Sequence, residues 1–205
     1  RKISVSKDLE NFFNRQFDEH NKVASDCQKK LQSSFLNVIK ICISSLKKKK
    51  KILFFGNGGS ASDAQHLATE LTVRFSKNRK AIPAISLVTD TSALTAIGND
   101  FGFDFIFSRQ IEALGDKDDV AIGITTSGKS KNVINAIKTA KKKGLKCIVL
   151  TGSYTRLVSS LCDEIISIPA INTSRIQEMH ILIGQMLCNA LEYKLGYSHL
   201  VKEEK

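Results

Sequence analysis

Prolines, linker-like stretches and long apolar runs are almost missing from this chain, and each absence narrows its architecture. Only 2 of the 205 residues are proline, and no low-complexity linker interrupts the sequence, so no domain boundary is predicted. No apolar run approaches the roughly 20 residues that a transmembrane helix needs, and no signal-peptide pattern occurs. Because 42% of the residues are hydrophobic, we expect one domain over residues 1–205, without membrane contact and located in the cytoplasm.

Paired cysteines are missing as well. None of the five cysteines belongs to a Cys-x-x-Cys motif, and they are scattered, mostly within apolar runs: Cys27, Cys42, Cys147, Cys162 and Cys188. Isolated cysteines of this kind behave as small hydrophobic side chains. We therefore predict that they are reduced and buried, as in a cytosolic protein.

Aromatic residues are few, at 7%, whereas positive charge is in excess, with a formal net charge of +11. That charge alone would suit a nucleic-acid partner. The lysines are spread along the chain, however, and the run at 47–51 falls at a predicted helix end, where cations are favourable. Little aromatic interleaving is available for base stacking. A solvated lysine-rich surface is the favoured interpretation, and nucleic acid is not an expected partner, although such a surface would attract an anionic substrate.

Two similar segments stand out against this background. The apolar run 52–55 predicts a buried strand, and the Gly-rich turn 56–60 after it precedes a predicted helix. The apolar run 120–124 is likewise followed by a hydroxyl-rich turn at 125–130 and by a predicted helix. Backbone N–H groups in a Gly-rich turn and at a helix N-terminus favour an anion. The pair of turns therefore predicts one small phosphorylated ligand held between them.

The coarse pattern along the chain predicts a parallel sheet with helices on both faces. Two N-terminal helices are expected at 6–26 and 28–46. Strands are expected at 52–55, 84–88, 119–125, 146–151 and 164–168, and helices at 61–75, 91–97, 104–114, 131–142, 155–161 and 174–195. Ligands of such sheets bind at the carboxyl ends of the strands, where both turns lie.

A dinucleotide site is the main alternative for the first turn. Gly56, Gly58 and Ala61 fit a relaxed dinucleotide fingerprint. That fold needs an acidic residue about 20 positions later, and Asp90 lies further away. We expect no Gly-Lys-Ser/Thr that would complete a nucleotide P-loop. A small phosphate ester is therefore favoured over a dinucleotide. For the second turn alone, an ordinary capped loop is an equal alternative, because Ser and Thr favour helix N-caps.

Many short motifs together resemble the sugar isomerase (SIS) family, and within it the phosphoheptose isomerases. The resemblance covers about residues 50–195 and rests on Asn57-Gly58-Gly59-Ser60-Ala61, Gln65-His66, Glu70-Leu71, Arg74-Phe75, Gly98-Asn99-Asp100-Phe101-Gly102, Phe107-Ser108-Arg109-Gln110, Thr126-Ser127-Gly128, Leu150-Thr151-Gly152 and Arg175-Ile176-Gln177-Glu178-Met179-His180. It implies a three-layer α/β fold of flavodoxin-like type with a five-stranded parallel sheet over 51–195, preceded by a helical hairpin over 1–50. It also implies a homotetramer with active sites at subunit interfaces, and one zinc ion per subunit.

The resemblance implies conversion of sedoheptulose 7-phosphate to D-glycero-D-manno-heptose 7-phosphate through an enediol, a step in heptose and lipopolysaccharide biosynthesis. Such chemistry needs a base near carbon, an acid or metal near the oxygens and a phosphate anchor. His66 and Glu70 are four residues apart and share a helix face. The family assigns Glu70 as a catalytic acid/base and both residues as metal ligands, with Gln177 as a further site residue. The alternative without function is that His66 and Glu70 form an ordinary exposed pair and that Gln177 is a surface glutamine.

The remaining family positions are substrate contacts. Ser60, Thr126, Ser127 and Ser130 match phosphate ligands. The residues that match or adjoin sugar-contacting or turn positions are Asn57, Gly58, Arg74, Asn99, Asp100 and Thr125. For Arg74 a salt bridge to a nearby acid is the alternative, and Asn99-Asp100 could be a simple turn. His180 is expected to be structural.

One position departs from the family pattern. The family has a catalytic, metal-ligating histidine eight residues after Gln177, and here that position is Gln185. At about 100° per residue, Gln177 and Gln185 lie about 80° apart and can address one site, whereas His180 lies about 140° from Gln185. A glutamine cannot carry a proton at neutral pH. The chain is therefore an impaired or inactive isomerase, a deliberately substituted one, or a non-catalytic relative that binds a replication initiator or senses a sugar phosphate.

Overall fold

The computed structural model describes residues 7–197. The described elements are α1 (Lys7–Lys30), α2 (Gln32–Lys47), β1 (Ile52–Gly56), α3 (Gly59–Thr72), β2 (Ala84–Ser86), α4 (Thr91–Asp100), a single 3₁₀ turn (Phe103–Phe105), α5 (Ser108–Leu114), β3 (Val120–Thr125), α6 (Lys131–Lys142), β4 (Lys146–Thr151), β5 (Glu164–Ser167) and α7 (Thr173–Lys194). The predicted helix start at residue 6 lies outside the described residues.

The five strands form one parallel sheet in the order β2-β1-β3-β4-β5. This order is the flavodoxin-like one, whose switch point lies between β1 and β3. Helices α2, α3 and α7 pack on one face, and α5 and α6 pack on the other. The predicted three-layer fold with a five-stranded parallel sheet is confirmed.

The burial of the two central strands explains why apolar runs in the sequence predict them. Every residue of β1 and β3 is buried, because helices cover both faces of the sheet. Cys27, Cys42, Cys147 and Cys188 are buried as well, and all five cysteines are free thiols. The expectation of buried, reduced cysteines is confirmed for these four, whereas Cys162 is only half-buried.

Two predicted helices differ from the structure. Residues 155–161 form turns and no helix. Val158 is the buried side chain of that segment while Leu157 is 44% exposed, so no apolar face stabilises a helix there. The predicted helix 104–114 is divided into the 3₁₀ turn and α5, which begins only at Ser108.

The N-terminal hairpin packs unevenly on the sheet. Helix α2 buries Val38, Ile39 and Cys42, whereas α1 buries only Cys27 among its 24 residues. The apolar residues of the first half of α1 are 53–60% exposed: Leu9, Phe12, Phe13 and Phe17. Between residues 7 and 197, no helix is long and apolar enough to cross a membrane.

Candidate active site at the carboxyl edge of the sheet

The first turn lies at the switch point of the sheet. Gly56 ends β1 beside Ile124 of β3, and a Cβ at Gly56 would lie 2.7 Å from the Ile124 carbonyl oxygen and 2.8 Å from Ser60 Cβ. Only glycine allows this approach. Gly58, with φ of 55°, then caps α3, and Ser60 is buried in its first turn. The backbone N–H groups of this turn lie at the carboxyl ends of β1 and β3, where sheets of this kind bind ligands.

The second turn gathers hydroxyl groups. Thr125 Oγ1 lies 3.0 Å from Ser130 Oγ and 3.5 Å from Ser127 Oγ. Ser127 Oγ also accepts the N–H of Lys129 at 3.1 Å. Ser130 caps α6, but its hydroxyl makes no side-chain cap bond. Thr126, on the same turn, is half-buried. The hydroxyls of Thr125 and Ser130 bond only to neighbouring hydroxyls among the described residues and can turn toward an anion at little cost, so the arrangement suits a phosphate.

An unpredicted residue ties the two turns together. Asn57 Nδ2 donates to Asn132 Oδ1 at 2.9 Å, and Asn132 Nδ2 donates back to Asn57 Oδ1 at 2.9 Å. Asn132 is 2% exposed. Both polar atoms of the Asn57 side chain are thus engaged within the protein, so Asn57 serves here as a link between the turns. An asparagine in the first turn of a helix gave no signal of this pairing.

The second turn contains Gly128-Lys129-Ser130, so the expectation that the chain has no Gly-Lys-Ser/Thr is wrong. Residues 123–130 satisfy the nucleotide P-loop consensus formally. The structure argues against that function. Gly123 lies inside β3, where a Cβ would be 2.9 Å from Val133 Cγ1, so it cannot open a phosphate-wrapping loop. The Lys129 ammonium lies 4.7 Å from the centre of the Tyr154 ring, and α6 begins only at Lys131.

His66 and Glu70 lie together on α3. His66 Nε2 is 2.9 Å from Glu70 Oε1, with side chains 45% and 22% exposed. The pair therefore presents a polar, accessible patch. Along the helix, Glu70 is ten residues past Ser60, which is about 15 Å at 1.5 Å per residue. Within one chain, the pair and the phosphate-type turns are two separate groups.

Helix α7 runs beside α3 and carries the two glutamines. A Cβ at Gly59 would overlap the Gln177 side-chain amide, and a Cβ at Gly184 would lie 2.6 Å from Leu67 Cδ1. Gln177 therefore belongs to the first turn, whereas Gln185, half-buried, lies further along α7 at the level of His66. The two glutamines address different ends of the candidate site.

Three predicted substrate contacts lie apart from the turns in this chain. Arg74 is exposed just beyond the end of α3. Asn99 and Asp100 are exposed at the end of α4, where Asn99 Nδ2 donates to Asp100 Oδ1 at 2.8 Å. They lie about 12–14 Å along α4 from Thr91. The structure thus joins Ser60, Thr125, Thr126, Ser127, Ser130 and Gln177 in one place, whereas these three lie at or beyond the exposed ends of α3 and α4.

Two buried titratable groups lie close to these residues. His180, one turn after Gln177, is fully buried, and burial lowers its pKa to about 4. Its ring nitrogens have no hydrogen bond of good geometry among the described residues. Burial also raises the pKa of Asp63, an effect that the nearby His66 opposes. Burial therefore favours the neutral imidazole of His180 at neutral pH.

The metal-ligating groups are sparse. Between residues 7 and 197, no cluster of three or more His, Cys, Asp or Glu side chains could hold a metal ion. His66 and Glu70 are one nitrogen and one oxygen ligand of the kinds that zinc accepts. The amide oxygens of Gln177 and Gln185 are weaker ligands, and they lie at different levels of α7. The pair fits a metal ion as two of its ligands.

Comparison with known proteins agrees with this geometry. Residues 16–152 match the SIS domain. A phosphoheptose isomerase of Nitratiruptor is 51% identical over 174 residues, which cover 85% of this chain and 93% of that protein. One from Campylobacter jejuni is 49% identical over 182 residues, covering 89% and 97%. The solved phosphoheptose isomerase of Neisseria gonorrhoeae superposes with a TM-score of 0.86 at 39% identity, covering 90% of this chain and 99% of that one.

A five-stranded parallel sheet in this order, with two phosphate-type turns at its switch point, defines an α/β protein of the flavodoxin-like class. Within that class, the chain belongs to the SIS family and, inside it, to the phosphoheptose isomerases. It is a sugar-phosphate isomerase.

Proposed function

We propose that this chain interconverts sedoheptulose 7-phosphate and D-glycero-D-manno-heptose 7-phosphate, as a step of heptose biosynthesis. The observation that carries the proposal is the His66–Glu70 pair, 2.9 Å apart, on the helix whose first turn contributes to the phosphate-type site. The names of the relatives support a seven-carbon sugar phosphate as substrate.

The proposed chemistry moves one proton between two carbons. The Glu70 carboxylate takes a proton from C1 of the ketose while the C2 oxygen gains one, which gives the enediol. Glu70 then returns its proton to C2 while the C1 oxygen loses one, which gives the aldose. Carbon, hydrogen and charge balance across the two steps. The phosphate, held by the hydroxyls of residues 125–130 and by Ser60, fixes the register of C1 and C2.

Gln185 limits this chemistry. Proton transfer at the sugar oxygens needs a group that can gain and lose a proton, and an amide does neither at neutral pH. General acid–base groups contribute about 10²–10⁴-fold. We therefore infer that the chain binds its substrate with ordinary affinity and turns it over slowly.

A zinc ion is part of the proposal. His66 and Glu70 would hold it, and a bound ion would polarise the sugar oxygens. Gln185, at the level of His66, would be a further, weaker ligand, and Gln177, which lies near the start of α3, would join the same ion from a neighbouring subunit. Since two of the four donors are amides, we infer weak zinc binding at one ion per subunit.

A homotetramer with active sites between subunits is also proposed, and one observation supports it. Phe12, Phe13 and Phe17 leave a large apolar patch on α1, of the kind that marks protein interfaces. A neighbouring subunit would cover such a patch and bring a second set of residues to each site.

The non-catalytic alternative rests on one residue. Gln185 occupies the position of the expected histidine, and a protein that only binds a sugar phosphate or a partner needs no proton carrier there. The retained pair His66 and Glu70 favours the isomerase.

The deciding experiment compares three proteins by NMR: the unmodified chain, Gln185→His and Glu70→Gln. Sedoheptulose 7-phosphate is incubated in D₂O, and deuterium at C1 and conversion to the aldose are followed. We expect slow exchange in the unmodified chain, about 10²–10⁴-fold faster turnover in Gln185→His, and loss of exchange in Glu70→Gln. Fast turnover by the unmodified chain with no gain from histidine would remove the role of position 185. If neither the unmodified chain nor Gln185→His exchanges the C1 proton, the non-catalytic alternative is favoured.

A further inference from the structure

A buried ion pair lies directly behind Glu70. Arg79 Nε donates to Glu192 Oε1 at 2.8 Å, and the two side chains are 1% and 0% exposed. Removing two charges from water is costly unless both are fully bonded. Their hydrogen bonds therefore show what the pair holds in place.

The guanidinium of Arg79 caps the end of α3. Nη2 donates to the carbonyl of Glu70 at 2.8 Å, and Nη1 donates to the carbonyl of Leu71 at 2.7 Å. The last carbonyls of a helix lack helical donors. The Leu71 carbonyl also accepts the N–H of Ile82 at 3.1 Å, whereas Arg79 is the donor that reaches the Glu70 carbonyl. The flat, rigid fork of an arginine can span two adjacent carbonyls and a carboxylate at once. Arg79 thus fixes the turn that bears Glu70.

The carboxylate of Glu192 holds the loop that follows. Oε1 accepts the N–H of Phe75 at 2.9 Å, and Oε2 accepts the N–H and the hydroxyl of Ser76 at 3.3 and 3.0 Å. Burial works against the charged form, but these bonds and Arg79 outweigh it and lower the pKa of Glu192. Phe75 directly follows Arg74, a predicted substrate contact, so the same carboxylate sets where Arg74 leaves the helix.

Glu192 belongs to α7, the helix that also carries Gln177 and Gln185. We propose that Arg79 and Glu192 are positioning residues of the isomerase, which lock Glu70, the start of the Arg74 loop and α7 into one rigid unit. The inference rests on the proposed role of Glu70. Neither side chain reaches solvent, so both act through the residues that they hold, and neither touches the substrate.

Substitutions of Arg79 and of Glu192 should change the kinetic constants in different ways. In Arg79→Lys, a compact ammonium can still pair with Glu192 but cannot span both carbonyls, so Glu70 loosens while the Phe75 anchor stays. We expect kcat to fall about 100-fold, the cost of a misplacement near 1 Å, with KM unchanged. In Glu192→Gln the Phe75 and Ser76 anchors weaken as well, so kcat falls and KM rises.

A matched control exists at the opposite edge of the sheet. Asp119 accepts the N–H of Lys51 at 3.0 Å, the N–H of Asp116 at 2.8 Å and the Lys51 ammonium at 2.6 Å. It therefore resembles Glu192 in its bonding but lies away from the candidate site. Lys51→Met should lower the melting temperature and leave exchange unchanged. If it lowered kcat as much as Arg79→Lys does, loss of stability alone would explain the effect and the inference would fail.

The test measures C1 deuterium exchange and calorimetric affinity for sedoheptulose 7-phosphate, in the unmodified chain and in Gln185→His. Circular dichroism confirms folding. If Glu192→Gln does not fold, the double variant Arg79→Met/Glu192→Met replaces it, because apolar side chains can substitute for a buried ion pair; it should be folded and still about 100-fold slower. If a folded Arg79→Lys or double Met variant is fully active while Glu70→Gln is inactive, the positioning role is wrong. The proposed function of Glu70 is unaffected by that result. Equal rates for Glu70→Gln and the unmodified chain overturn the proposed function and this inference with it.

Discussion

The two edges of the sheet use polar residues in opposite ways. At the amino edge, Asp119 is 1% exposed in its side chain and pairs with Lys51 at 2.6 Å while accepting two backbone N–H groups. At the carboxyl edge, the hydroxyls of Thr125, Ser127 and Ser130 bond to one another. Fixed opposite charges hold the first edge together. Interchangeable neutral groups leave the second free to accept a charge that a ligand brings.

This contrast predicts that stability and binding can be separated by mutation. Substitutions at the amino edge should lower the free energy of unfolding and leave substrate affinity unchanged. Substitutions in the hydroxyl turn should do the reverse. The predictions below test that separation.

The largest effect is expected at Asp119. Asp119→Ala leaves two backbone N–H groups without their acceptor and the Lys51 ammonium with Asp116 alone, at 2.9 Å, and removing one partner of a largely buried pair costs about 3 kcal/mol. Urea unfolding measures the loss, and calorimetry should show unchanged affinity for sedoheptulose 7-phosphate. Lys48→Ala is the matched control: its pair with Asp118 is exposed by 54% and 31%, so it should cost less than about 1 kcal/mol. Similar losses in both variants would contradict the contrast.

His180 shows that the carboxyl edge also bears stability, in a pH-dependent way. Its pKa is lowered by burial to about 4, whereas an unfolded histidine titrates near 6.5. Between those values the unfolded chain binds a proton that the folded chain does not. The contribution of His180 to stability is therefore full above about pH 7 and falls by about 3 kcal/mol as the pH drops to 4. Unfolding of His180→Phe, measured across this range, should lack that part of the slope. An unchanged slope would show that His180 is hydrogen-bonded or solvated when folded.

Local patterns account for most of the fold that the sequence predicts. Helix 131–142 and strand 146–151 match α6 and β4, because apolar spacing and the glycines beside them are local signals. The hydroxyl turn is local too, which is why Ser127 and Ser130 were predicted. The Asn57–Asn132, Arg79–Glu192 and Lys51–Asp119 pairs join residues 68 to 113 positions apart. No pattern in one sequence specifies such pairs.

The wrong helix at 155–161 has a physical reason. Thr155, Ser159 and Ser160 favour a helix only weakly, and Val158 is the one side chain of the segment that is fully buried. Arg74, Asn99 and Asp100 come from motif resemblance, and their roles as substrate contacts stay predictions.

Ser127 tests the binding side of the contrast. It is exposed, so Ser127→Ala should leave the unfolding free energy within about 0.5 kcal/mol. Losing a hydrogen bond to an anion should weaken sedoheptulose 7-phosphate binding by about 1.5–3 kcal/mol, and adding Ser60→Ala should weaken it further. Calorimetric titration measures both variants. Ser76→Ala is the control, because it removes a hydroxyl that donates to Glu192. We expect it to change the free energy of unfolding more than the affinity for the substrate. Unchanged affinity in the Ser60 and Ser127 double variant would remove the phosphate-site assignment.

The smallest effect is expected from metal removal. With an amide in place of a histidine nitrogen at Gln185, zinc should bind about tenfold more weakly than in Gln185→His, about 1.4 kcal/mol. Metal analysis after dialysis should show partial occupancy in the unmodified chain and higher occupancy in Gln185→His. Because the ion pairs of the amino edge hold the fold without metal, chelation should shift the melting temperature of the unmodified chain by little. Two results would contradict this: one zinc per chain that survives prolonged chelation, or a large fall in melting temperature when the zinc is removed. Either would show that the metal contributes to stability, so that stability would no longer be separated from binding between the two edges.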